Sequence, residues 1–212
     1  MLVTVLIPTF NSALYLSRAI RSVLEAACHV AEVEIIVIDD GSTDDTLQVL
    51  EPFSSQVRLF RHSTNLGLPS ALNTGIRNAR GQFIVRVDSD DYVHAQYINI
   101  LTTALRLNNS YDAVCCDYFL VDNRQNVIEI ANSLEKPIGC GIMFRHHHFV
   151  DIGLYNEKVR VHEDVELRER FLTKYEITRV PIPLYKYCKR SNSLSSQEGM
   201  NKAYLAKSNE SL

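Results

Sequence analysis

Through the first half of the chain, short apolar runs alternate with amphipathic segments, and that alternation predicts the fold. "LVTVLI" reads as a buried strand, after which Tyr15, Leu16, Ala19, Ile20, Val23 and Leu24 recur at helical spacing and predict a helix from Ala13 to Ala27. "EIIVI" (34–38) is a second buried strand that runs into "DDGSTDDT". There Ser42 and Asp45 form a capping-box pattern for a short helix ending near Leu50. "VRLFR" (57–61) predicts a third strand, "LPSALNTGIRNAR" (68–80) a helix stopped by Gly81, and "FIVRV" (83–87) a fourth strand. Strands and helices in this order call for right-handed crossovers, giving an α/β fold with a mostly parallel sheet and helices on both faces.

The second half is less regular. A helix over residues 95–108 precedes the strand "YDAVCCDYFLV", the turn "DNRQNV" and an antiparallel return "VIEI". "HEDVELRERFLTKY" opens another helix. "TRVPIPLYKYC" predicts edge strands, because Pro181 and Pro183 lack the donor that a central position needs. The expectation is one domain over 1–190, with halves at 1–92 and 93–190, and a mobile Ser-, Asn- and Lys-rich tail at 191–212.

Composition narrows the function. With 212 residues the chain can bury one substantial core, and a net charge of -3 gives no electrostatic footprint for nucleic acid. Five cysteines are an odd number without metal-ligand spacing, so they read as reduced thiols in a cytoplasmic protein. The apolar start lacks a basic region and a cleavage site, which makes it a strand rather than a signal peptide. No apolar run approaches the roughly 18 residues of a membrane span, which leaves only peripheral contact with the inner membrane face.

Three unusual clusters follow strand ends: "PTFN" after the first, "DDGS" after the second and "DSDD" after the fourth. In open parallel sheets, ligands sit beyond the carboxyl ends of the strands. Asp88, Asp90 and Asp91 repel one another, so either a solvated turn or a divalent cation carrying a phosphorylated substrate must neutralise them. Strand alternation puts Ile84, Arg86 and Asp88 on one face, which predicts a charged pair where the strand leaves the sheet. Magnesium or manganese on a diphosphate needs only one or two protein carboxylates, and the i, i+2 spacing of "DSD" supplies them.

Taken together, "VTVLIPTFN", "EIIVIDDGSTDDT", "NLGLPSALNTGIRNARGQFIVRVDSDD" and "HEDVELRER" resemble, in order and spacing, the motifs of family-2 glycosyltransferases, from about Val3 to Ser195. The resemblance implies an A-type glycosyltransferase fold, with a Rossmann-like nucleotide-sugar half (1–92) and a smaller, irregular acceptor half (93–190). It implies inverting transfer from a nucleotide-diphosphate sugar, a UDP-sugar first, to a sugar or lipid-linked oligosaccharide acceptor. That chemistry belongs to cell-surface polysaccharide or glycolipid synthesis, with Mn2+ or Mg2+ as cofactor; a homodimer is compatible with it.

Carried onto this chain, the resemblance makes Pro8, Thr9, Phe10 and Asn11 the edge that receives the nucleobase. Asp40 is similar to the residue that bonds the base, and Asp39 supports its loop. Asn73, Arg86 and Ser89 complete the donor site; Asp88 meets ribose or metal, Asp90 coordinates the metal, and Asp91 stands behind them. Asp164 matches the catalytic base, with Glu163 as the fallback. A helix-capping role for Asp164 stays open, since a helix N-terminus stabilises the anion and weakens it as a base. Gly139, Cys140 and Gly141 match a small-residue segment that floors the sugar pocket in relatives.

The chain also departs from the family pattern. Leu72 stands where many relatives have Arg; near the end Lys186 replaces an Arg, and Lys189 with Arg190 replaces a His. The histidines of "RHHHFV" cannot all converge on one ion, and are expected to be surface or acceptor-side residues. A nucleotidyltransferase is the alternative, but "IPTFNSA" lacks its Gly-rich cationic loop. An inactive binding relative fits poorly with the presence of both Asp90 and Asp164, and no GxGxxG follows the first strand.

Overall fold

β1 (Val3–Thr9) is buried along its whole length and pairs in parallel with β2 (Val33–Asp39) on one side and β4 (Phe83–Arg86) on the other. β3 (Arg58–Arg61) continues the parallel set beyond β2. These relations come from a computed structural model that describes residues 2–28, 30, 32–159 and 162–189. Arg190 and the tail at 191–212 lie outside the described residues.

The alternation in sequence becomes two cores. Val3, Val5 and Ile7 face one way, with Leu16, Ile20 and Val23 of α1 (Ala13–Ala27) packed on them. Leu6, Ile36 and Ile38 face the other way, against Leu72 and Ile76 of α3 (Leu68–Asn78). In β4, Phe83 and Val85 join the first core and Ile84 the second. α2 (Thr46–Leu50) and α4 (Tyr97–Leu107) add to the first face. α5 (His148–Ile152) and α6 (Glu163–Leu172) cover the second.

Beyond β4 the sheet turns mixed. β8 (Ile142–Arg145) is antiparallel to β4 and to β6 (Ala113–Val121), and β9 (Ile177–Cys188) runs parallel to β6. β5 (Tyr92–Val93) pairs with the end of β9, and β7 (Val127–Ala131) forms a hairpin with β6. Among the described residues, one nine-stranded sheet runs through both halves.

Four expectations need correction. Ser42 and Asp45 form no capping box: α2 starts after Asp45 without a side-chain cap, while Asp44 accepts hydrogen bonds from the Thr46 amide and hydroxyl. α3 ends at Asn78, before Gly81. The proline-containing segment is one strand, not a pair at the edge. Its register slips from Cys116–Val180 to Asp117–Pro183, so the prolines sit at a bulge, and the strand's far end lies between β6 and β5. Finally, His148 is not a surface residue; it is 2% exposed and stacks on Tyr175 with ring centroids 4.0 Å apart.

Burial pushes the His148 pKa down from 6.5 to about 4, with His147 adding to the shift and Asp112 opposing it. As pH falls from the ordinary value toward 4, the unfolded chain takes up a proton that the folded ring does not, so stability is lost on acidification. His148→Phe is expected to flatten the melting-temperature curve between about pH 6.5 and 4. An unchanged slope would assign the acid sensitivity elsewhere.

Candidate active site

The topology lines up the ends of β2, β1 and β4 along one sheet edge. At the first of these, Asp39 and Asp40 are both buried. Asp39 Oδ1 accepts the Ser42 amide at 3.0 Å; its Oδ2 lies 3.1 Å from Arg61 Nε without the alignment of a hydrogen bond. Asp40 Oδ1 accepts the Leu66 amide and faces His62 Nδ1 at 2.6 Å, and Oδ2 accepts the Gly67 amide. The other ring nitrogen, Nε2, lies 2.9 Å from the Thr74 hydroxyl, so the ring bridges Asp40 and Thr74. Asp40 thus anchors the 62–67 loop. Gly41 (φ +78°) lets that loop pass, since a Cβ would stand 2.6 Å from the Thr64 carbonyl carbon.

At the end of β1, Pro8 and Thr9 are buried and Phe10 is 43% exposed. Thr9 Oγ1 has no partner among the described residues. Asn11 adopts a left-handed backbone (φ 48°), accepts the Thr43 amide, and donates its own amide to Ser42 Oγ. The "PTFN" and "DDGS" clusters are therefore bonded to each other.

At the end of β4, alternation delivers the expected pair. Arg86 donates to both oxygens of Asp88, at 2.5 and 3.0 Å, and reaches Glu163 Oε1 at 3.1 Å. Burial alone would lower the guanidinium pKa; the charges of Asp88 and Glu163 overcome it and hold it well above the usual range. Ser89 Oγ donates to Ser12 Oγ, and the Asp90 carbonyl accepts from Arg18. Asp91 is 1% exposed and accepts the Cys188 amide and the Tyr185 hydroxyl, both at 2.8 Å. Burial, then the charges of Asp90 and Asp88, push its pKa well up.

Among the described residues, one group could supply three ligand atoms to an ion: Asp88, Asp91 and Cys140, with those atoms within 4.8 Å of one another. Its chemistry suits a hard cation poorly. Burial keeps the Cys140 thiol protonated, and Asp91 is occupied by Tyr185 and Cys188. Of that group, the Asp88 carboxylate is the ligand type that suits Mg2+ and Mn2+, and Arg86 holds both of its oxygens. Burial is the main reason the Asp91 pKa is raised, and the charges of Asp90 and Asp88 add to it.

α6 closes the cluster from the acceptor side. His162 turns the chain with φ 63°, and no side chain caps the helix. Glu163 is buried and held by Arg86. Asp164 is half-buried, and among the described residues its carboxylate accepts no hydrogen bond and makes no ion pair. Gly139 lies against it, where a Cβ would stand 2.8 Å from Asp164 Cβ.

Asn73 is 1% exposed and bonded to Tyr155 and Glu157. Leu72 is core, and Lys186 stacks over the Tyr92 ring at 4.9 Å. Sequence reasoning missed Tyr155, whose phenol pKa is pushed up to about 12 by burial, and by Glu163 and Asp164 against Arg86. It also missed His62 and Tyr185; none of the three has a sequence signal beyond residue type, since only the fold brings them to the carboxylates.

Residues 4–146 match the family model described as Glycosyl transferase family 2. A glycosyltransferase of Rickettsia typhi is 31% identical over 192 residues, covering 81% of this chain and 58% of the relative. The chain therefore spans little more than half the length of that protein. Staphylococcus aureus TarS in complex with UDP superposes with a TM-score of 0.77 at 22% identity, over 90% of this chain and 61% of that one. A mannosyltransferase of Pyrobaculum calidifontis in complex with GDP-Man and Mn2+ gives 0.73 at 18%, over 92% and 59%. These two likenesses establish the shared fold.

Proposed function

The chain belongs to glycosyl transferase family 2, and on that premise we propose that it transfers a sugar, with inversion, from a nucleotide-diphosphate sugar to an acceptor hydroxyl. The observation that carries this is the meeting of three strand-end clusters with the start of α6, joined through Arg86 between Asp88 and Glu163. Single acidic turns are common; acids from two strand ends and a helix on one edge are not.

In this assignment Pro8, Thr9, Phe10, Asn11, Asp39 and Asp40 form the nucleobase edge. Asp40 acts while holding the 62–67 loop, and its amide is bonded to the Thr9 carbonyl at the end of β1. Arg86 fixes Asp88, and Asp88 with Asp90 and Ser89 meets the ribose and diphosphate. Asn73 contributes indirectly, by holding the 155–157 loop. A bound Mn2+ or Mg2+ would neutralise the diphosphate and its leaving charge. Asp164 takes the acceptor proton as the acceptor oxygen bonds to the anomeric carbon, while the bond from that carbon to the diphosphate breaks on the opposite face. Its lack of partners favours it over Glu163, whose charge is committed to Arg86.

A UDP-sugar is the donor we favour, since the TarS complex holds UDP. TarS is named a poly(ribitol-phosphate) β-N-acetylglucosaminyltransferase, which supports cell-surface polymer synthesis here, with a sugar or lipid-linked acceptor. No helix among the described residues is long and apolar enough to cross a membrane. We place the enzyme in the cytoplasm, touching the inner membrane face peripherally, as one catalytic domain over 1–190 able to form a homodimer.

The test is release of nucleoside diphosphate from UDP-, GDP- and dTDP-sugars with manganese or magnesium. One donor class should be consumed with metal and spared without it. Asp90→Ala should abolish most of the metal-dependent gain in UDP affinity measured by calorimetry; an undiminished manganese effect would remove Asp90 from the site.

A further inference from the structure

The acceptor half contains a cavity of about 200 Å³, and no step of the transfer above uses it. β6, the 137–142 strip and α6 wall it. On α6, Asp164, Arg168 and Leu172 stand at i, i+4 and i+8, so one helix face carries the proposed base, then a cation, then an apolar side chain. Arg168 and Leu172 line the cavity, as do Ile138 and Cys140, the neighbours of the Gly139 that touches Asp164. Asp164 is not itself a wall residue; it lies against Gly139, between the wall residues Ile138 and Cys140, and one turn before the wall residue Arg168.

Arg168 is the unusual wall residue. It is half-buried, and among the described residues it makes no hydrogen bond and no ion pair. Its neighbour Arg170 shows the contrast: it binds both oxygens of Glu166 and three backbone carbonyls. Among the described residues no carboxylate lines the cavity, and the Cys115 thiol is hydrogen-bonded to Ser133. The remaining surface is mostly apolar. Here a guanidinium with open donors recognises a planar or tetrahedral oxyanion, and the apolar walls strengthen that contact by excluding water.

We propose that this cavity is the acceptor pocket and that Arg168 selects an acceptor bearing an anionic group, a carboxylate or a phosphate, about 6 Å from the hydroxyl presented to Asp164, the rise of four helical residues. The assignment rests on Asp164 as the base. It adds a charge requirement to the acceptor, and it makes Arg168 a specificity residue rather than a catalytic one.

Binding read by nuclear magnetic resonance tests it without needing turnover. The full chain is titrated with methyl glucuronoside, glycerol 3-phosphate and methyl glucoside, following the Arg168 Nε–H and the Gly139 and Gly141 amides. At least one anionic probe should shift these signals at concentrations at least tenfold below the neutral glucoside. The more effective anion identifies carboxylate or phosphate as the group recognised. Arg168→Gln should erase the anion preference, and Arg168→Lys should restore part of it for phosphate. Equal response to all three probes, or anion shifts that persist in Arg168→Gln, would overturn the proposal. A parallel UDP–manganese titration read at the Asp88 and Asp90 amides tests the donor site separately. Its failure would sink the transferase assignment, whereas the Arg168 signals report the anion pocket alone.

Discussion

Asp164→Asn is expected to bind UDP and manganese almost as the parent does, while sugar transfer falls by roughly 10² to 10⁴, the usual worth of a positioned base. The size and shape of the side chain are kept, and only its capacity to take a proton is lost. Structure makes the substitution clean. No side chain caps α6, so Asp164 does not support the helix end by a hydrogen bond. The stability cost is limited to the charge–dipole term of a first-turn acid, about 0.3–1 kcal/mol. Glu163→Gln is a different perturbation, because it withdraws a carboxylate from buried Arg86. It should lower the melting temperature more and turnover less. Transfer kept in Asp164→Asn but lost in Glu163→Gln would move the base by one residue, and transfer kept in both would end the general-base assignment.

The parallel half of the fold is legible in the sequence because its signals are local. Buried strands of a doubly covered sheet read as apolar runs, and α1 shows its buried stripe at the observed boundaries, Ala13–Ala27. The Arg86–Asp88 pair is legible for the same reason: period-two alternation needs no tertiary information. Elements that depend on distant partners are not. β5 has two residues and exists through its pairing with β9. β8 sits between two glycines and three histidines, and its strand character comes from β4 and β6 on either side. β9 hides its partly central position because a bulge absorbs the prolines that seemed to forbid one.

The candidate site divides along the same line. "DDGS" and "DSDD" announce acids at strand ends, but not which acid is committed. The structure commits Asp40 to His62 and the 66–67 amides, and Asp91 to Tyr185 and Cys188. The capping box failed for a related reason: Ser42 finds a better donor in the Asn11 amide of another loop, so a local motif lost to a tertiary bond. His148 failed through burial, since three adjacent histidines look polar until Phe171 and Tyr175 enclose one of them.

Arg86→Met is expected to be the most destabilising substitution at the site, by about 3–5 kcal/mol, the cost of leaving buried charge uncompensated. Methionine roughly fills the space but leaves Asp88 and Glu163 facing each other beneath the sheet edge, where Arg86 now holds both. The pH dependence separates charge from packing. Without the guanidinium, two neighbouring carboxylates repel each other, so the penalty is largest near neutral pH, where both are charged, and shrinks on acidification. The stability deficit relative to the parent should therefore narrow on acidification, and adding Glu163→Gln to Arg86→Met should recover part of it at neutral pH. Donor affinity should not return in the double variant, because Asp88 still lacks the two hydrogen bonds that fix its oxygens. A deficit that stays constant with pH and ignores Glu163→Gln would mean that Arg86 acts by filling space, and that Asp88 is positioned by its backbone alone.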